Sequence, residues 1–312
     1  MKIQTVTGLI KPEDLGLTDG HSHLWITRQV VPASDAPVLD QSEAILGELH
    51  LYRQAGGSSQ IDCQPIYAGR DANKLRWLAA NSSVQVVANT GFHLQRYYPP
   101  DAPIWRMGGS QAADLLIDEI RNGLMETRES EQGVVFPGFI KIAVEKSLED
   151  SPRHLVEAAV QVGLETGLLI EMHTERGQDI ETITSFITGL GLSPARLVIC
   201  HIDKRPDLAL HRMLAEEGFA LEYDTFFREK YQPEENLWPL IEEMVAAGFA
   251  QNLVLATDLA DASLWAFGGG VGIASFPTIV KTRLEEIGFE REDILAMTGG
   301  NIARRLALKN KE

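Results

Sequence analysis

Two histidines separated by one residue, His21-Ser22-His23, close a short apolar stretch near the start of the 312-residue chain. In an extended segment residues i and i+2 face the same way, so both imidazoles can converge on one point. Neutral imidazole is a common ligand for zinc and related transition metals. His173 closes the run Leu168-Leu169-Ile170-Glu171-Met172, and His201 closes Leu197-Val198-Ile199-Cys200. Asp258 directly follows Leu253-Val254-Leu255-Ala256-Thr257. A carboxylate there serves either as a metal ligand or as a helix N-cap, and the sequence leaves both readings open. Taken singly, His-x-His reads as two polar loop residues and a strand-end histidine as a satisfied core group. Jointly they are four imidazoles and a carboxylate, each ending an apolar run.

Lys141 sits inside Phe139-Ile140-Lys141-Ile142-Ala143, a run too apolar to welcome an ammonium ion. Burial of a lysine carries a heavy desolvation cost and favours the neutral amine. One reading pairs Lys141 with a buried acid. The other is a neutral amine that captures carbon dioxide, giving a carbamate whose two oxygens could bridge two metal ions. A pair of metals sharing a hydroxide clamps both the attacking and the leaving oxygen of a hydrolysis.

These residues act together only if the fold brings them to one place. Eight short runs, apolar on both sides, alternate with longer amphipathic stretches: one entering Thr18-Asp19-Gly20-His21, then Ser59–Cys63, Val84–Asn89, Phe139–Val144, Leu168–Met172, Leu197–Cys200, Phe219–Tyr223 and Leu253–Thr257. Such runs read as parallel strands covered on both faces. Helical patterns lie between them, among them Ser151–Thr166 with Ser151-Pro152 as its cap and first turn, Leu208–Glu217 closed by Gly218, and Asn236–Ala247 closed by Gly248. Eight strands alternating with helices over about 250 residues predict an α/β fold, a (β/α)8 TIM barrel, whose loops after the strands form the active face. The long irregular stretches Gln29–Gln41, Tyr97–Gly109 and Ala260–Phe276 all fall there. We read residues 1–312 as one barrel domain, with residues 1–16 as a small N-terminal cover and Glu292–Leu308 as a closing helix.

Composition narrows the class. With 28 basic against 44 acidic residues the net charge is −16, which excludes a phosphate-backbone partner such as nucleic acid. Cys63 and Cys200 make no disulfide framework and suit a reducing compartment. No apolar stretch reaches the roughly 20 residues of a membrane span, and the first residues lack a secretory h-region. The expected location is cytoplasmic.

The chain resembles the phosphotriesterase family of the amidohydrolase superfamily. The resemblance rests on Thr5-Val6-Thr7-Gly8, Leu17-Thr18-Asp19-Gly20-His21-Ser22-His23-Leu24, Gly138-Phe139-Ile140-Lys141-Ile142-Ala143, Ile170-Glu171-Met172-His173-Thr174, Cys200-His201-Ile202-Asp203-Lys204-Arg205-Pro206-Asp207, Thr257-Asp258 and Gly300-Asn301-Ile302-Ala303-Arg304. It implies a binuclear site, most often zinc, with iron, cobalt or manganese as alternatives. His21, His23 and Asp258 would hold the buried ion, and His173 and His201 the more exposed one. Carboxylated Lys141 and a hydroxide would bridge them, and Asp258 would accept or shuttle the proton. The implied activity is hydrolysis of a lactone or carboxylic ester, with phosphotriester hydrolysis as the nearest alternative, an amide third, and a metal-containing small-molecule-binding module without turnover as the reading from another class. A homodimer is implied by the same resemblance.

The family pattern is not followed everywhere. Ser22 stands where glutamate is usual between the first two histidines, at a position that is not a ligand. Asp224 is followed by Thr225 where some relatives carry His or Arg. Ala260 and Asp261 stand where phosphate-accepting relatives place arginine, so a neutral lactone is the expected substrate. Trp25, His93, Tyr97, Tyr98, Asp203, Arg228 and Lys230 are candidate substrate contacts, Asp203 also a candidate to orient a ligand imidazole. His50, His154 and His211 fall in helical patterns and read as surface residues.

Overall fold

The computed structural model describes residues 1–28 and 37–308. Eight parallel strand positions follow one another in chain order: β1 (Thr18–Ser22), β2 (Ser59–Asp62), β3 in two segments (Gln85–Val87 and Asn89–Gly91), β4 (Phe139–Ala143), β5 (Leu169–His173), β6 (Leu197–Cys200), β7 (Ala220–Tyr223) and β8 (Leu253–Leu255). Each pairs in parallel with its neighbours from β1 to β8, the two segments of β3 pairing with β2 and β4 respectively. The ring closes between β1 and β8. The Asp258 N–H donates to the His21 carbonyl (3.1 Å), and Thr257 donates its N–H (3.0 Å) and hydroxyl (2.6 Å) to the Asp19 carboxylate. Gly20 permits this approach, since a Cβ there would lie 2.5 Å from Val254 Cγ1. The predicted (β/α)8 barrel is the observed fold.

Alternation along the strands divides the barrel interior into two zones. Ile61, Val87, Phe139, Leu169, Val198, Ala220 and Val254 form an apolar lower zone. The antiparallel hairpin Ile3–Thr5 with Gly8–Ile10 packs below it through Ile3, alongside Leu15 and the C-terminal residues Ile302 and Leu306. Residues one pleat higher are polar: Lys141, Glu171 and Glu222, all fully buried. Outside the barrel the helices bury their apolar faces, as Arg153–Thr166 does through Leu155, Val156, Ala159, Val160 and Val162.

Several expected boundaries shift. The helix expected from Ser151 begins at Arg153, because the Ser151 hydroxyl bonds the Ser147 carbonyl and the Glu145 N–H instead of capping the helix. The closing helix expected over Glu292–Leu308 is broken into Arg291–Leu295 and Asn301–Leu306 by a wide turn at Ala296–Gly300. Gly299, at φ 156°, passes so close to the Gly16 carbonyl that a Cβ would lie 2.1 Å from it. Of the loop expected at Gln29–Gln41, residues 29–36 lie outside the described residues. Among the described residues no helix is long and apolar enough to cross a membrane.

Candidate metal centre

His21, His23, His173 and His201 sit at or next to the C-terminal ends of their strands, Lys141 lies mid-strand in β4 and Asp258 three residues beyond β8, and the structure brings them together. The His21 ring centroid is 5.4 Å from His23 and 4.8 Å from His201, and His201 is 4.7 Å from His173. Asp258 stands between them. Its Oδ1 is 3.7 Å from His23 Nε2 and 3.9 Å from His21 Nε2, and its Oδ2 is 3.8 Å from His201 Nδ1. Lys141 Nζ approaches from beneath, 3.4 Å from His21 Nε2. His201 and Asp258 both adopt left-handed backbone, φ 63° and 46°, a strained state for non-glycine residues that often marks functional sites. Asp258 caps no helix. Asp261 caps the following turn instead, by accepting from the Ser263 N–H.

Each imidazole has an acceptor on one ring nitrogen. His21 Nδ1 faces Glu222 Oε1 (2.8 Å), His23 Nδ1 faces Gln64 Oε1 (2.7 Å), His173 Nε2 faces Glu175 Oε1 (3.1 Å) and His201 Nδ1 faces Asp224 Oδ2. Such partners fix the tautomer and leave the other nitrogen's lone pair free. His173 Nδ1 shows this directly, being buried without a partner. Burial holds all four rings toward the neutral form, bringing His173 down to about 4. Burial works against ionisation of Asp258 too, but Arg228, followed by His201 and His21, keeps its carboxyl well below the usual range.

Neutral nitrogen donors, an ionised carboxylate and an orphaned buried lone pair are what divalent cations need from a protein. The donor set fits. His21, His23 and Asp258 form one group whose ligand atoms lie within 4.8 Å of one another, and His201, Asp224 and Asp258 form a second. Burial opposes the charge of Lys141, while Cys200, Cys63 and the buried carboxylates Glu171 and Glu222 favour the charged form. Lys141 makes no salt bridge with a carboxylate among the described residues. Its closest polar neighbours are His21 Nε2 and, at 3.7 Å, Cys200 Sγ.

The weaker candidates divide. His93, Tyr97, Arg228 and Lys230 line a cleft of about 430 Å³ above the centre. Trp25, Tyr98 and Asp203 do not. Trp25 is buried with its indole N–H on Thr27 Oγ1, and the Tyr98 hydroxyl accepts from the His93 backbone N–H. Asp203 neither reaches the cleft nor orients His201. Its Oδ2 accepts from the Asp224 and Thr225 N–H groups and the Thr225 hydroxyl, and Asp224 takes the orienting role. His50 and His154 are exposed as expected. His211 is not: it is fully buried, with Nδ1 2.6 Å from the Tyr223 hydroxyl and Nε2 2.9 Å from the Arg205 carbonyl.

Sequence reasoning missed the histidine partners Glu222, Gln64 and Glu175, and the orienting role of Asp224. A signal existed for two of them. Glu222 and Asp224 share inward parity with Ala220 along β7, just as Lys141 does with Phe139 along β4. The cleft also carries Arg176 and Lys204, cations that the sequence did not single out, beside Lys230, which it did. Arg176, Lys204 and Lys230 surround the Tyr231 ring, at 5.9, 5.9 and 5.0 Å from its centroid.

The family comparison agrees with this geometry. The phosphotriesterase family matches residues 1–306. A phospho-furanose lactonase of Mycoplasmopsis synoviae is 26% identical, covering 99% of this chain and 92% of its own. The N-acetyltaurine hydrolase of Mus musculus is 26% identical over 83% of this chain and 84% of its own. The crystal structure of a lactonase from Listeria monocytogenes superposes with a TM-score of 0.88 at 22% identity, covering 99% of this chain and 100% of that one. Full-length family coverage and a matching barrel lead to one conclusion: this chain belongs to the phosphotriesterase family and is a hydrolase.

Proposed function

We propose that the protein is a binuclear metal-dependent hydrolase that opens a lactone or carboxylic ester carrying an anionic group. The observation that carries the reading is the arrangement of four imidazoles, each held by an acceptor on one nitrogen, around Asp258 and above Lys141. In this reading His21, His23 and Asp258 hold one divalent ion, zinc being the first choice. His173 and His201 would hold the other, and Lys141, carboxylated by carbon dioxide, would supply an anionic ligand to both. Ions bound there supply Lewis acidity and an activated water. Asp258 receives the proton released, while Arg228 holds it in place.

The anionic group is supported by the cleft's charge. Arg176 and Lys230 have no carboxylate partner among the described residues, and Lys204 faces only Asp224, at 3.9 Å. On a chain of net charge −16, a cluster of unneutralised cations beside a hydrolytic centre favours a negatively charged substrate. This departs from the neutral lactone expected from Ala260 and Asp261, because the cations come from the loops after β5, β6 and β7 instead of β8. The names of the two relatives, with their phosphate and taurine groups, point the same way.

The test is a panel of lactones, esters, amides and phosphotriesters, with and without phosphate or sulfonate groups, run alongside elemental analysis and ¹³C NMR in labelled bicarbonate. Two ions per chain, a carbamate resonance lost in Lys141→Ala, and fastest turnover of an anionic lactone or ester are expected. Faster phosphotriester turnover would transfer the assignment to that reaction. Two bound ions without turnover of any substrate would leave a binding module.

A further inference from the structure

Addition of a nucleophile to an ester carbon places negative charge on the carbonyl oxygen, and preorganised hydrogen-bond donors aimed at that oxygen are among the strongest contributions to rate. None of the four imidazoles at the centre is free to serve, since each has one ring nitrogen against Glu222, Gln64, Glu175 or Asp224 and each is a metal ligand in the reading above.

His93 is arranged differently. It lines the same cleft, with its ring centroid 4.7 Å from that of His173. The Leu94 backbone N–H donates to its Nδ1 at 2.7 Å. A ring whose Nδ1 accepts a hydrogen bond carries its proton on Nε2, and Nε2 has no partner among the described residues. The ring is also fixed in place. Tyr97 meets it edge-on at 4.8 Å and 87°, and the His93 backbone N–H donates to the Tyr98 hydroxyl at 2.8 Å.

We propose that His93 is a catalytic hydrogen-bond donor, its Nε2–H directed at the substrate carbonyl oxygen. As the nucleophilic oxygen bonds to the carbonyl carbon, the π electron pair moves onto the carbonyl oxygen, which accepts the Nε2–H without taking its proton. When the tetrahedral species collapses, that pair re-forms C=O, the bond to the leaving oxygen breaks with its electron pair passing to that oxygen, and the leaving oxygen takes the proton that Asp258 received from the nucleophile. A neutral imidazole suits this role because it polarises without transferring a proton. The inference rests on the hydrolase reading above and adds a residue to it.

The experiment compares wild type with His93→Phe and His93→Gln, each checked for two bound ions and an unchanged melting temperature. His93→Phe keeps the packing against Tyr97 and lacks the donor, whereas the glutamine amide replaces Nε2–H. We expect kcat to fall about 100-fold in His93→Phe with KM within about threefold, and to recover to within about tenfold of wild type in His93→Gln. Unchanged kcat in His93→Phe, or an equal loss in both variants, would overturn the proposal. Two-bond ¹⁵N–¹H NMR provides a readout independent of turnover: the Nε2–H tautomer is expected for His93 at neutral pH, and the Nδ1–H tautomer would refute the donor geometry. Wild-type protein with two ions and no turnover would count against the hydrolase reading, while the tautomer measurement still decides the geometry of His93.

Discussion

Arg228 Nη2 lies 2.7 Å from Asp258 Oδ2 and also donates to the Asp258 backbone carbonyl. Thr225 follows Asp224, and the guanidinium that contacts Asp258 comes from three residues further along the same loop. Arginine does not give up its proton, so it holds Asp258 ionised and cannot relay the proton onward. Replacing Arg228 with glutamine should move the acid limb of the kcat/KM profile upward, because Arg228 is the strongest influence keeping Asp258 ionised, with activity at pH 8 within roughly tenfold of wild type. The check is a profile from pH 5 to 9 on protein of verified metal content. An unmoved acid limb would show that the pair does not tune Asp258.

The partners behind the imidazoles give a second expectation. Glu222→Gln and Asp224→Asn leave the cleft surface intact but weaken the orientation of His21 and His201. Metal affinity should fall about 10- to 100-fold in each, measured by competition with a chromophoric chelator. Affinity equal to wild type would mean that burial alone holds the rings.

The cations around Tyr231 predict a split by substrate charge. Arg176→Ala and Lys230→Ala should raise KM about three- to tenfold for a substrate bearing phosphate or sulfonate, an effect that shrinks with added salt. The same variants should leave KM for an uncharged analogue unchanged. Equal effects on both substrates would point to a packing role.

His211 gives a pH dependence remote from the chemistry. Its Nε2 donates to the Arg205 carbonyl, so Nδ1 accepts from the Tyr223 hydroxyl, and the ring is fully satisfied only when neutral. Burial lowers its pKa from 6.5 to about 4. As pH falls below 6.5 the unfolded chain takes up this proton before the folded one does. Stability from this residue is therefore complete above 6.5 and declines toward pH 4, by roughly 3 kcal/mol in all. Urea denaturation of wild type and His211→Gln at pH 8 and pH 5 should show the wild type losing more. Parallel losses would exclude His211 as the source.

The chemistry-bearing positions were legible because they break a pattern. Lys141, His173 and His201 stand out against apolar strands. Alternation assigns Lys141 and His173 to the barrel interior with Phe139 and Leu169, whereas His201 shares the outward parity of Leu197 and Ile199 and is turned inward only by its left-handed backbone, φ 63°. Glu222 breaks the same pattern in Phe219–Tyr223, yet without a known neighbour across the barrel its pairing with His21, 201 positions away, has no local signature. His211 is buried although its polarity within a helical pattern predicts exposure. It shares the buried face of its helix with Leu210, Leu214 and Ala215, and only the position of Tyr223 explains why an imidazole is tolerated there. The break at Gly299 likewise depends on how closely Gly16 passes, a distance set by the whole ring.

The hairpin and C-terminal residues seal the barrel on the side away from the cleft, where Lys2 and Leu308 exchange backbone hydrogen bonds at 2.9 Å. Mechanical integrity and ligand preference therefore reside at opposite poles of the molecule. Segments carrying Arg176, Lys204 and Lys230 can be exchanged for those of another barrel without touching the plug, so selectivity is open to redesign at little thermal penalty. Changes to Ile3, Leu15 or Ile302 should do the reverse, loosening the scaffold while leaving its choice of substrate intact.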